Sequence, residues 1–418
     1  GELEKRLSRR ARRHELGTGQ GLASWNGYLR DRLERAAKQR LKNMGFSDPE
    51  SFANGLKRIC AGDSTAVPRV LAGFLHRAER IWNRVADPDL AWHHLERLWE
   101  AGGRGMEFWE KPASSSESLE ALLTLLGTSR YLAETLLSHP EYLSWLVRRE
   151  KLTPVETRRE LQHLSRQLLS VEDLRKVRHR ETLRLALAEM LGQAHVAETA
   201  SAFSAVADFV LERVLGDFFE KDTVCVVGLG KLGGQELNFS SDVDLIFLAA
   251  DALSPSVISG LQRYVRALEE GSLQDFLYRV DLRLRPHGDS GNLVLGLDDC
   301  ISYYREQADF WEYQALIKTR PVAGFLSLGE RLLAAVDSLV YRAEWPRPAW
   351  ERLVEIKRRY EEATRACGED ATNVKMGAGG IRDIEFTVQI LQLLHGGRLA
   401  ALKKANTLEA LAEIERAG

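Results

Sequence analysis

Two aspartates spaced i and i+2, Asp242 and Asp244, lead directly into an apolar run, Leu245-Ile246-Phe247-Leu248. On an extended strand that spacing puts both carboxylates on one face. Two like charges held beside a buried core are unfavourable unless a cation neutralises them. A hard divalent ion, Mg²⁺ for preference, meets that need with oxygen ligands and can bridge the pair to substrate phosphates. A third carboxylate, Asp281, stands in the run Tyr278-Arg279-Val280-Asp281-Leu282-Arg283-Leu284-Arg285-Pro286. Alternation along a strand predicts Asp281, Arg283 and Arg285 on one face, a metal ligand beside two guanidinium groups able to grip phosphate. Gly233-Gly234 and Ser240-Ser241 precede the first pair. The combination suits phosphoryl or nucleotidyl transfer, in which positioning and charge neutralisation supply most of the catalysis.

Each part alone is weak. An isolated DxD is most often a strand-end or turn pair, and alternating Arg and Asp often form a salt-bridged sheet face. Their co-occurrence is what points to chemistry. The stretch Gly228-Leu229-Gly230-Lys231-Leu232-Gly233 also fits GxGxxG after a strand. A dinucleotide fingerprint, however, needs a helix opening there inside a βαβ unit, and here a strand-like run follows too soon.

The elements that must position these groups are legible from periodicity. Residues 1 to about 220 read as almost entirely helical, with apolar positions three and four apart, as in Phe203, Val206, Val210 and Val214. Leu132 and Leu136 lie one turn apart, and Pro140 after Ser138-His139 opens a new helix. Gly102-Gly103, Gly105 and Pro112 to Ser116 interrupt the pattern. A sheet begins at Val224-Cys225-Val226-Val227. Residues 242–248 read as its second strand, 256–270 as a helix, 277–284 as a third strand and Val294-Leu295 as part of a short fourth. From about residue 347 helical spacing returns, broken by Gly377-Ala378-Gly379-Gly380 before Ile384, Val388, Leu391 and Leu394. This predicts an α+β unit inside a largely helical protein, with regions at 1–105, 106–220, 221–346 and 347–418.

Composition narrows the function classes. The 418 residues carry 58 Lys plus Arg against 60 Asp plus Glu, a formal charge of −2 that gives no global pull toward nucleic acid. A basic run in the first sixteen residues, including Arg9-Arg10 and Arg12-Arg13, reads as a solvated helix face. Cys60, Cys225, Cys300 and Cys367 form no CxxC or Cys/His cluster, so no zinc site or disulfide framework is expected and a reducing cytoplasm is the natural setting. No apolar run approaches the roughly 20 residues of a membrane span. The chain starts at Gly1 rather than Met and reads as part of something longer.

At these motifs the chain resembles the glutamine synthetase adenylyltransferases, also called glutamate-ammonia-ligase adenylyltransferases. The likeness lies in Gly228 to Gly234 running through Ser240-Ser241-Asp242-Val243-Asp244, in Tyr278 to Pro286, and in Lys375-Met376-Gly377-Ala378-Gly379-Gly380-Ile381-Arg382-Asp383-Ile384-Glu385-Phe386. It covers about residues 222–396. The resemblance implies a polymerase-β-type nucleotidyltransferase fold, of which family members carry two copies. The C-terminal copy attaches AMP from ATP to a tyrosine of glutamine synthetase, and the N-terminal copy removes it by phosphorolysis, giving ADP. Asn238-Phe239-Ser240-Ser241, Ile317-Lys318 and Gly379-Gly380-Ile381-Arg382 look more like the removing copy.

Carried over by residue, the resemblance makes Asp242, Asp244 and Asp281 the catalytic, Mg²⁺-binding carboxylates. Gly233, Gly234 and Ser241 would hold nucleotide phosphate. Arg283 and Arg285, then Lys318, Arg320 and Lys375, would bind AMP or inorganic phosphate. Tyr313 stands where removing-type members commonly have an arginine. A PII-type signal protein is the implied effector. Two rivals stay open: transfer of AMP from ATP to the same tyrosine, and an inactive regulatory or scaffolding module.

Overall fold

The computed structural model describes residues 34–60, 67–101, 115–146, 153–250, 254–271, 275–366 and 373–418. The N-terminal basic run, the glycines at 102–105, Pro112 and Cys367 lie outside them. The chain divides into two compact units, Gly1–Arg149 and Glu150–Gly418.

The first unit is helical in its described part, including Pro88–Ala101, Ser116–Thr128 and Arg130–Ser138. Leu132 and Leu136 are both buried, as their one-turn spacing requires. Pro140 opens a short 3₁₀ turn, Pro140–Tyr142, where its missing N–H leaves no partner unpaired.

The second unit holds the sheet. Three helices come first: α1 (Pro154–Leu164), α2 (Val171–Met190) and α3 (Val196–Leu215). Ser170 starts α2 with a reciprocal capping box to Asp173. In α3 the residues Phe203, Val206, Val210 and Val214 form one buried stripe, as their spacing predicts. Then follow β1 (Val224–Leu229), a single helical turn α4 (Gly230–Gly233), β2 (Val243–Ala249), α5 (Pro255–Glu269), β3 (Val280–Asp281) and β4 (Val294–Gly296). Next come α6 (Leu297–Glu306), α7 (Phe310–Leu316), β5 (Arg320–Gly324) and α8 (Leu326–Val340). The helices α9 (Arg347–Ala366), α10 (Ile381–His395) and α11 (Thr407–Ala417) complete the unit.

The sheet order is β3-β2-β1-β5, with β4 also pairing β2. β1 runs antiparallel to β2 and to β5, whereas β3 and β4 lie parallel to β2. The glycine-rich segment therefore joins two adjacent antiparallel strands. That geometry excludes the dinucleotide βαβ unit, whose strands are parallel.

Both faces of the sheet are covered, so β1 is buried along its whole length instead of alternating. Val224, Val226, Val243, Leu245 and Phe247 pack with α3 and α5, including Leu261, Tyr264 and Leu268. Cys225, Val227, Leu229, Ile246 and Leu248 pack on the opposite face with α6, α7 and α8. Asp244 shares the parity of Ile246 and Leu248, which points it to this second face. Cys225 and Cys300 are buried free thiols within it.

Two readings of the sequence are corrected. The third strand spans Val280–Asp281, far shorter than 277–284. Past Asp281 the chain turns, with the Arg285 N–H donating to the Leu282 carbonyl, and β4 takes up the next stretch of the same edge of β2. The strand alternation that would align Asp281 with Arg283 and Arg285 therefore ends at Asp281. The fifth strand, β5, was not expected. Pro321 lies inside it, and the register with β1 shifts between Val226 and Val227, where Val322 of β5 is the extra, unpaired residue.

Candidate active site

The three acidic residues lie near enough to act on one another, although their oxygens are not drawn together into one tight cluster. Asp242 is exposed in the turn before β2, Asp244 lies in β2, and Asp281 is the β3 residue directly opposite Asp244 in the parallel register. Neighbouring strands are about 4.8 Å apart, so these two carboxylates are forced into each other's field. Burial, then Asp281 and Asp242, push the Asp244 carboxyl up to about 6. Asp281 moves the other way, because hydrogen bonds from Arg283 hold its carboxyl below the usual range. Asp242 accepts from Arg279 Nε at 2.7 Å, and Asp281 from Arg283 Nε at 3.0 Å. Asp244 has no ion-pair partner among the described residues.

Gly230 leaves room for that carboxylate. It adopts φ +54°, and a Cβ there would come within 2.5 Å of Asp244 Oδ2. Gly230→Ala is expected to do two things: destabilise the fold by about 1–2 kcal/mol for the left-handed conformation, and displace the Asp244 carboxylate. Thermal melting with and without Mg²⁺ reads both. An unchanged melting point and an unchanged response to the ion would overturn the assignment.

The residues expected to hold phosphate occupy diverse positions. Gly233 and Gly234 are buried, and a Cβ on them would meet the Lys318 carbonyl at 2.0 Å and the Ala405 carbonyl at 2.9 Å. Glycine is needed at both for backbone packing alone. Ser241 donates to Asn238 Oδ1 at 2.5 Å inside the turn. Arg283 is exposed beside Asp281. Arg285 donates to the Leu282 carbonyl at 2.9 Å and to that of Asp289 at 3.1 Å, stapling the turn after β3.

Lys318 is buried, and its ammonium donates to Glu236 at 2.7 Å and Glu385 at 2.8 Å. Arg320 grips Asp208 through two bonds of 2.8 and 2.9 Å. Lys375 is exposed, and its charge reaches Asp244. Tyr313 is a core residue whose hydroxyl donates to the Tyr304 carbonyl at 2.6 Å, with the Arg342 guanidinium 4.9 Å over its ring.

Reading the sequence missed three participants. Arg279 sits two residues before Asp281, so the same alternation could have paired it with the acidic face. Glu236 and Glu385 left no such signal, since nothing local marks them as the partners of a buried lysine.

The family described as glutamate-ammonia ligase adenylyltransferase matches residues 119–335, just over half of the sequence. The chain belongs to this family. A second family, described as GlnD PII-uridylyltransferase, matches residues 351–418. Among similar proteins is a bifunctional glutamine synthetase adenylyltransferase/adenylyl-removing enzyme of Streptomyces coelicolor. It is 32% identical over 402 residues, covering 91% of this chain and 39% of the relative. Proteins of the same description from Pseudomonas putida and Mycobacterium avium are 35% identical over 273 residues and 31% over 420, respectively. The first match covers 59% of this chain and 28% of the relative, the second 92% and 41%. The chain thus spans about two fifths of the length of its full-coverage relatives. The α+β architecture agrees with the reading from sequence, and among the described residues no helix is long and apolar enough to cross a membrane.

Proposed function

We propose that this chain removes AMP from a tyrosine of adenylylated glutamine synthetase by phosphorolysis, on a polymerase-β-type nucleotidyltransferase fold. The observation that carries the reading is Asp244, a largely buried carboxylate raised to about 6, facing Asp281 across two strands with Asp242 beside it. A buried acid without a cation is costly unless the site takes one up. The direction of the reaction rests on the motifs Asn238 to Ser241, Ile317-Lys318 and Gly379 to Arg382. A PII-type protein is proposed as effector, and the match over residues 351–418 supports a link to that system. A cytoplasmic setting follows from the same reading.

The donor set fits a hard divalent cation: three carboxylates, with oxygen the only ligand type offered by the acidic residues. Asp242, Asp244 and Asp281 would hold Mg²⁺, which when bound supplies charge neutralisation for the phosphoryl group and the departing oxygen. Asp244 and Asp281 stand in fixed register on β2 and β3, with Asp242 in the turn before β2, so these side chains would set where the cation is held. A phosphate oxygen attacks that phosphorus in line, the bond to the tyrosyl oxygen breaks, ADP forms, and the tyrosyl oxygen takes a proton. Arg279 holds Asp242 in place, and Arg283 holds Asp281 in place and ionised. No base is required, because inorganic phosphate is already an anion.

The test is incubation with adenylylated glutamine synthetase, Mg²⁺ and phosphate. ADP that appears only with phosphate, and is lost in Asp242→Asn, is the expected result. AMP transfer from ATP to unmodified synthetase, without ADP formation in the first assay, would reverse the direction. Neither product, with no nucleotide binding, would make this an inactive regulatory module.

A further inference from the structure

Helix α3 carries a second pattern beside its apolar stripe. Ser204, Asp208 and Glu212 recur every four residues, which puts them on one face of the helix. All three are bonded to the sheet or to its glycine-rich connection. The Ser204 hydroxyl is buried and accepts from the Leu237 N–H at 3.2 Å. Asp208 accepts from both Nη groups of Arg320, at 2.8 and 2.9 Å. Glu212 accepts from the Gly324 N–H, at the end of β5, at 2.6 Å.

The contact at Asp208 is passed on to the site. Arg320 stands in β5 opposite Gly228 of β1, and its Nη2 also donates to the Leu232 carbonyl at 3.1 Å. Leu232 belongs to the single turn α4, whose first residue is Gly230. Gly230 is the glycine whose Cβ position lies 2.5 Å from Asp244 Oδ2. Four residues of helix make little structure of their own, so such a turn is held by its tethers. One tether is the packing of Gly233 on the Lys318 carbonyl, and the Arg320 bond to Leu232 is another. Arg320 Nε is buried without a hydrogen-bond partner among the described residues, so the two Nη groups make the attachment. Loss of Asp208 frees that guanidinium, and with it the carbonyl of the turn that bounds Asp244.

We propose that Asp208 is a positioning residue for the cation site: through Arg320 it fixes the Gly230–Gly233 turn against Asp244, which keeps that carboxylate where it would ligate Mg²⁺. This rests on the reading of Asp242, Asp244 and Asp281 as cation ligands. Asp208 acts only through Arg320, and Arg320 acts on the turn rather than on phosphate. Groups behind the ligands of a metal commonly decide its affinity in this way, by holding a ligand in the orientation that binding needs.

Calorimetric Mg²⁺ affinity, measured beside thermal melting, tests the assignment. Asp208→Asn and Arg320→Gln change the local charge in opposite directions, so the field alone would weaken Mg²⁺ binding in the first and strengthen it in the second. Positioning predicts a loss in both, of about tenfold, the low end for groups behind a metal ligand. Each single variant strands a partly buried charge and should melt lower, whereas Asp208→Asn combined with Arg320→Gln strands none and should recover part of the melting temperature. The double variant still lacks the tether, so its Mg²⁺ affinity should stay about tenfold down. Glu212→Gln, on the same face of α3 but bonded at the far end of β5, should lower melting and leave Mg²⁺ affinity within about twofold. If affinity in the double variant returns with stability, or Arg320→Gln binds Mg²⁺ more tightly, the pair only clamps α3 to β5 and the inference is overturned. If the unsubstituted chain binds no Mg²⁺, the cation reading falls and this inference with it.

Discussion

Asp244→Asn is expected to abolish turnover and, at the same time, to raise the melting temperature of the metal-free chain above pH 6. The carboxyl of Asp244 sits at about 6 because burial and two neighbouring carboxylates disfavour its charged form. A folded-state value above the ordinary one means that the folded chain binds this proton more tightly than the unfolded chain does. Its ionisation therefore costs nothing below about pH 4, costs progressively more as pH rises toward 6, and costs a constant amount beyond that. Allowing for partial exposure, the cost is on the order of 2 kcal/mol, or about 4–8 °C for a unit of this size. The asparagine variant carries no such charge. Its advantage should vanish at pH 4 and be greatest at pH 7 to 8. Mg²⁺ should close the gap by stabilising the unsubstituted chain alone, while loss of the ligand lowers turnover by at least about a thousandfold. A melting difference that is flat from pH 4 to 8 would show that Asp244 is not held against its neighbours.

How much of this was readable beforehand differs residue by residue. Asp242 and Asp244 announced themselves because a period of two and a following apolar run are local signals. That Asp244 faces Asp281 is a matter of strand register between segments nearly forty residues apart, and nothing in either segment states it. The run from Asp281 to Arg285 kept the pattern of a strand, yet β3 pairs only with Val243 and Asp244 of β2, and from Phe247 onward that edge is taken by β4. The turn that follows is stabilised by Arg285 itself, so the residue that completed the alternation is the one that ends the strand. The cations were the hardest to sort. Lysine or arginine near a phosphate-binding motif looks the same whether it meets a ligand or a buried acid. The acids that decide the matter for Lys318 and Arg320 lie 82, 67 and 112 residues away. The α+β pattern, by contrast, was visible from periodicity, except at β5, where Pro321 disguises an edge strand.

Lys318 gives the second large effect, and it separates a structural cation from a ligand-binding one. Its ammonium is buried at 4% exposure between Glu236 and Glu385. Glu236 also accepts from the backbone N–H of Thr407 and, at 3.1 Å, from its hydroxyl, which ties the start of α11 to the glycine-rich turn. Lys318→Met keeps the aliphatic stem and removes the charge, leaving two partly buried carboxylates facing each other. Breaking a buried pair in this way costs about 3–5 kcal/mol. Because both glutamates retain some exposure, the lower end is expected, a fall of roughly 6–12 °C in melting temperature. Lys318→Met combined with Glu385→Gln should recover part of the loss, since one of the stranded charges is gone. A phosphate ligand behaves in the opposite way. Its removal would raise the KM for phosphate while leaving melting unchanged, and the second substitution would rescue nothing. That second outcome would return Lys318 to the substrate site and make its two glutamates a temporary resting place for a cation whose proper partner is the incoming anion.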